Sequence, residues 1–207
     1  MRGLHRSPAR GYTLVELLMA ITVFAFGVSG VIAMQKVTLA SNRHAKNLAI
    51  ATRIAEGWAD QLTADGSLWT VDTAGASTRG KTTWLKLADP SRIVDWFMPA
   101  FSSTLGFGPA FGALGQPRDP TTRPEQAAFC THIRFGFLAS ETLPTTGNGV
   151  IRAQIRVFYR REEPGLASVP TGQICSIDDS TFKNNLSAFH VVYLTTAIRQ
   201  QTVSRVQ

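Results

Sequence analysis

Between Arg10 and Lys36 the chain carries one charge, Glu16, and from Leu17 to Met34 it is uncharged and mostly apolar. Tyr12 to Met34 spans 23 residues, enough for the roughly 20 that cross a bilayer as a helix. A secretory signal has a shorter apolar stretch of about 7–15 residues and ends at a small-x-small cleavage site. Here the run is longer and passes into further helix-compatible sequence without a break. An ordinary single-pass helix fits the length but gives no reason for Glu16. An acid one turn into a lipid-embedded helix is costly, and such residues mark function.

Residues 10–16 read Arg-Gly-Tyr-Thr-Leu-Val-Glu, after a leader that holds Arg2, Arg6 and Arg10 and no acid. A basic leader, a small residue, an aromatic, an acid five positions past the glycine and an apolar helix together resemble the processing and assembly signal of type IV pilins and of type II secretion pseudopilins. The resemblance implies that residues 1–11 are a leader which a prepilin peptidase removes after Gly11. Tyr12 then becomes the N-methylated terminus. Most members carry Phe where this chain has Tyr12. Glu16 would pair with the terminal amine of a neighbouring subunit and set its register, since pairing offsets much of the cost of a buried charge. Loss of the leader lowers the formal charge from +7 to +4. Lys and Arg are nearly balanced about the apolar run, so orientation rests on the processing signal rather than on flanking charge.

No proline occurs between Pro8 and Pro90. The pattern predicts one helix over residues 12–64, with 12–34 in the membrane or filament core and Asp65-Gly66 as its stop. Its second half reads as amphipathic, with Met34, Val37, Ala45, Leu48, Ala55, Ala59 and Leu62 on the packing face and Leu39 and Ile50 on the basic side. Gly27 and Gly30 weaken the helix interior and would ease local unwinding or close packing. The absence of a proline soon after them fits a minor pilin or pseudopilin better than a major pilin. The glycine pair followed by Met34-Gln35 looks most like the PilV class of minor pilins.

Residues 65–207 read as an exported globular domain. Residues 65–128 lack clear periodicity and are expected to be an irregular cover packed by Trp69, Trp84 and Trp96, with a short helix from Asp89-Pro90-Ser91 to Met98. Beyond them, alternation predicts strands over Thr131–Leu138 and Val150–Arg160, and richness in β-branched and aromatic residues predicts a third over Phe189–Arg199. The fold class is α+β: a long N-terminal helix on a small antiparallel sheet, as in pilins. The two cysteines, Cys130 and Cys175, form a disulfide candidate in an exported domain; two separate buried thiols are the alternative.

Arg134, Arg152 and Arg156 are expected on the outer face of the sheet, where a basic patch could meet DNA or another anionic surface. Asp178-Asp179 reads as loop acid with cation binding as the lesser reading. No histidine has zinc spacing with the cysteines, no nucleophile motif is present, and neither metal, cofactor nor catalysis is expected. The resemblance implies an inner-membrane, single-pass protein with a periplasmic C-terminal domain, later assembled into a surface pilus that serves motility or cell adhesion. Its partners would be other minor pilins, the major pilin, the prepilin peptidase and the inner-membrane assembly platform. Two alternatives stand beside the minor pilin: a pseudopilin of type II secretion, and a pilus-tip adhesin or DNA-binding subunit.

Overall fold

The computed structural model describes residues 11–72, 75–91, 93–122, 126–139, 149–161 and 174–201. The chain forms two compact units, residues 1–46 and 47–207.

The first unit is helical. Helix α1 spans Leu14–Gly66, two residues later at each end than the pattern predicts. Its most apolar eighteen residues have a mean hydropathy of 2.3, and none of them is buried inside the structure. Leu17, Phe24, Phe26 and Ile32 all stand exposed, so this surface requires lipid or other helices as its solvent. The hydroxyls of Thr22 and Ser29 donate to the carbonyls of Met19 and Phe26, each at 2.8 Å, which hides them from an apolar surrounding.

In the second unit the last five turns of α1 carry the packing face. Ala51, Ile54, Ala55, Trp58 and Leu62 are buried, and Ile50 and Ala59 pack at its edge. Ala55, Ala59 and Leu62 pack as expected, and the face departs from the expected one at Leu48 and Ile50. Leu48 is 44% exposed and Ile50, assigned by pattern to the basic side, joins the core. Met34, Val37 and Ala45 are exposed in the first unit. Trp58 decides the phase: fully buried, it meets Trp84 and Phe107 edge-on at 5.2 and 4.9 Å between ring centroids. Burial of so large an aromatic outweighs that of Leu48, which the expected stripe would have placed inside.

The sheet is antiparallel, in the order β2-β1-β3-β4-β5, with β1 Ala110–Phe111, β2 Pro117–Arg118, β3 Phe129–Ala139, β4 Val150–Arg160 and β5 Phe189–Arg199. Three long strands fall where alternation and, for β5, β-branched and aromatic content place them. Ile133 pairs with Ile155 and Ile155 with Leu194, and the row faces α1. Ile151, Ala153, Ile155, Val157 and Tyr159 of β4 line the same core.

The expected helix over 89–98 is absent among the described residues. The Asp89 carboxylate instead accepts the backbone N–H and hydroxyl of Ser91, at 2.9 and 2.7 Å, a side-chain turn that competes with helix initiation. The chain then runs extended along the open edge of β3. Val94 N–H donates to Phe135 O at 2.9 Å, and Phe97 and Ile133 exchange bonds at 3.0 and 2.9 Å. The irregular stretch before β3 also holds two short 3-10 turns, Thr78–Lys81 and Leu85–Leu87, with Trp69 and Trp84 buried beneath.

The outer face of the sheet is not bare. Cys130 and Cys175 form a disulfide with 5.3 Å between Cα atoms. It ties helix α2 (Asp179–Asn184) and its flanking 3-10 turns over that face. A second cluster of Ala110, Phe158, Ile174, Phe182 and Phe189 packs around the bridge. Phe158 breaks the polar alternation of β4 because it belongs to this second layer.

Candidate processing and assembly segment

The motif residues lie at the start of α1. Gly11, Tyr12 and Thr13 precede the helix, and Tyr12 is 86% exposed. Thr13 caps the helix: its carbonyl accepts the Leu17 N–H at 3.2 Å and its hydroxyl the Glu16 N–H at 3.3 Å. Thr-x-x-Glu is the sequence form of a capping box, a signal the motif reading passed over. Glu16 sits in the first turn, where the helix dipole favours an anion. Among the described residues its carboxylate has no partner. Glu16 is thus a lone acid on an exposed apolar helix.

Gly11 is open. A Cβ built there meets nothing within 4 Å, and the same holds at Gly27 and Gly30. The chain's own fold does not require glycine at these positions. A demand for a small residue at Gly11 would therefore come from whatever enzyme handles the peptide bond. At Gly27 and Gly30 it would come from neighbouring helices or from backbone flexibility.

The expected basic patch is not an open arginine surface. Arg156 is 2% exposed. Its Nη2 meets the Asp179 carboxylate at 2.6 Å and His132 Nδ1 at 2.7 Å. Its guanidinium lies between the rings of Trp96 and Phe182, at 4.6 and 4.2 Å from their centroids. Burial pulls its pKa down, and the Asp179 carboxylate opposes that. Arg134 donates from Nε and Nη2 to Gln154 Oε1, at 2.9 and 2.6 Å, and rests over Trp96. Arg152 remains half-buried on the same face. The α2 layer is what removes Arg156 from solvent, and strand alternation carries no sign of it.

The two acids serve α2 itself. Asp178 is its N-cap and accepts the Thr181 N–H at 3.0 Å. Hydrogen bonds from Ser180 and Thr181 hold its carboxyl down at about 2. Asp179 spans Arg156 and Lys183, with Lys183 also at 2.6 Å. Among the described residues no three metal-ligating side chains gather. A groove of about 290 Å³ lies between α1 and the 107–117 loop, lined by Ile50, Phe107, Phe111 and Leu114, with Arg53 as its one charge.

Residues 6–32 match the family described as the prokaryotic N-terminal methylation motif. No curated protein and no solved structure matches the chain. The motif supports a type IV pilin or pseudopilin in general: a structural subunit that a prepilin peptidase processes and that has assembly partners. The apolar helix fits membrane anchoring.

Proposed function

We propose that the chain is a minor type IV pilin, a subunit of the tip or priming complex from which a pilus grows. It enters the inner membrane through α1 with its sheet domain on the periplasmic side. The peptidase cuts after Gly11 and Tyr12 is methylated. The subunit then joins other minor pilins and the major pilin by lateral packing of the apolar helix, with Glu16 neutralising a neighbour's terminal amine. The observation that carries this reading is Glu16, an acid with no partner among the described residues, inside the matched motif on a helix whose apolar surface is exposed. The minor rather than major assignment is supported by a proline-free stretch from Pro8 to Pro90 and by an irregular cover that takes up much of the domain before β3.

Mass spectrometry of the mature N-terminus tests it, and methylated Tyr12 is the expected first residue. Gly11→Leu, which meets no obstacle in the chain itself, should leave an unprocessed membrane precursor. Glu16→Ala should be cleaved normally and assemble poorly. Normal maturation of Gly11→Leu would remove the peptidase from the account.

A further inference from the structure

The layer that covers the outer face of the sheet is fixed at both ends. Cys175 is bonded to Cys130 of β3 at one end, and Phe189 opens β5 at the other. Between them α2 is six residues long, too short to hold a helical shape in water by itself. A small set of contacts seats it on the sheet. They are the rings of Phe158, Phe182 and Phe189, the Arg156–Asp179 ion pair, and a hydrogen bond between the His132 ring and the Ile177 backbone.

The polar part of this seat accepts one protonation state. Arg156 and His132 are both buried. Arg156 has only donors, so His132 Nδ1 must present a lone pair to its Nη2 at 2.7 Å. A second proton on the ring would set donor against donor and cation against cation, out of reach of water. The charged and titratable groups around the ring are Arg134 on its own strand, Arg156 on β4, Tyr193 opposite Arg156 on β5, and Asp178, Asp179 and Lys183 in the layer. The 94–97 segment brings Trp96 against Arg134 and Arg156, and its Asp95 stands exposed. Asp179 and Asp178 favour a proton on the ring, but the first spans Arg156 and Lys183 and the second caps α2. Both acids stay ionised at pH 4.5, because their carboxyls are held below the ordinary range.

We propose that His132 is an acid-operated latch: when its ring takes a second proton, residues 176–188 lift off the sheet as a loop still tied at Cys175 and Phe189, and Phe158 and Phe182 open to solvent. Above pH about 6.5 the ring is neutral in the seated and the lifted layer alike, and the layer stays seated. As pH falls toward 4, the lifted layer's ring takes a proton that the seated ring refuses. The ratio of lifted to seated layer should therefore rise about fiftyfold between pH 7 and pH 4.5. The inner core need not open with it, because Trp58, Ile133 and Ile155 belong to a separate cluster. The latch lies wholly in the sheet unit and is independent of the filament reading.

Hydrogen exchange of the full chain in detergent tests it, with each rate divided by the intrinsic rate at its own pH. From pH 7 to pH 4.5 the protection of amides in residues 177–188 should fall about fiftyfold. That protection should respond weakly to low urea, the mark of a local opening, while the ladder amides between β3 and β4 respond strongly. His132→Asn keeps an acceptor for Arg156 and has no proton to gain, so its layer should be equally protected at both pH values. His132→Gln, which has the same two properties, takes its place if His132→Asn loses the ladder protection. Layer protection that does not fall in the unaltered chain, that falls as far in the variant, or that is as sensitive to urea as the ladder would overturn the proposal.

Discussion

His132 lies on the outer face of β3, shut away from water and pressed edge-on against Phe158 at 5.0 Å between ring centroids. Its neighbour Arg156 can only donate, so the Nδ1 that it meets is the unprotonated nitrogen of a neutral ring. Burial, then repulsion from Arg156, pulls the imidazole down to about 4 from 6.5, against the pull of Asp179 and Asp178. Above pH about 6.5 the ring is neutral whether folded or not, and the contribution is fully present. As pH falls toward 4 the unfolded ring takes a proton that the folded ring refuses, and stability is lost. The loss should reach about 3 kcal/mol across that window. At Asp179 burial pushes the carboxyl up and the Lys183 and Arg156 bonds more than reverse it, so its own loss falls below the ordinary carboxylate range. Chemical denaturation of the full chain in detergent at pH 7 and pH 4.5 checks this, and His132→Asn should flatten the difference. An equal pH slope in His132→Asn would assign the effect elsewhere.

The C-terminal end of α1 is held by a contact that no local pattern shows. The buried Asp65 carboxylate accepts three backbone N–H groups, from Thr83, Trp84 and Leu85 at 2.6, 2.8 and 3.0 Å. It thereby fixes the 3-10 turn over the helix end. Gly66 comes so close to Ile198 of β5 that a side chain there would overlap it. Asp65→Ala leaves those donors without an acceptor and should cost about 3 kcal/mol in the same denaturation assay. Asp65→Asn, which keeps one acceptor oxygen, should cost less. In sequence, Asp65-Gly66 is legible only as a stop, because its partners lie 18–20 residues further on. The long strands are legible because alternation is a local record of a two-sided environment. The α1 face is misread at Leu48 and Ile50 because small residues share its stripe with Trp58, and the whole pocket decides which side the indole takes. Residues 94–97 follow the needs of an open β3 edge rather than their own capping signal. Within the motif, spacing exposes Gly11, Tyr12 and Glu16 directly, since all three stand exposed and none depends on this chain's core.

At the scale of the whole molecule, the sheet unit has cores on both faces and the outer one is stapled. The Cys130–Cys175 bridge joins positions 45 apart in sequence. It acts with the Arg156–Asp179 pair and the Phe158–Phe182–Phe189 ring cluster to hold α2 on the sheet. Closing a loop of that length removes roughly 4 kcal/mol worth of freedom from the unfolded chain on the entropy argument. The inner core does not depend on the bridge, because Trp58, Ile133, Ile155 and their neighbours form a separate cluster. Replacing both cysteines by serine should therefore lower global stability by about 4 kcal/mol and also change the order of opening. Hydrogen exchange should rise first in residues 174–188, while the ladder amides between β3 and β4 keep their rank. If exchange instead rises equally in both layers, the bridge supports one undivided core, and the two-layer description fails.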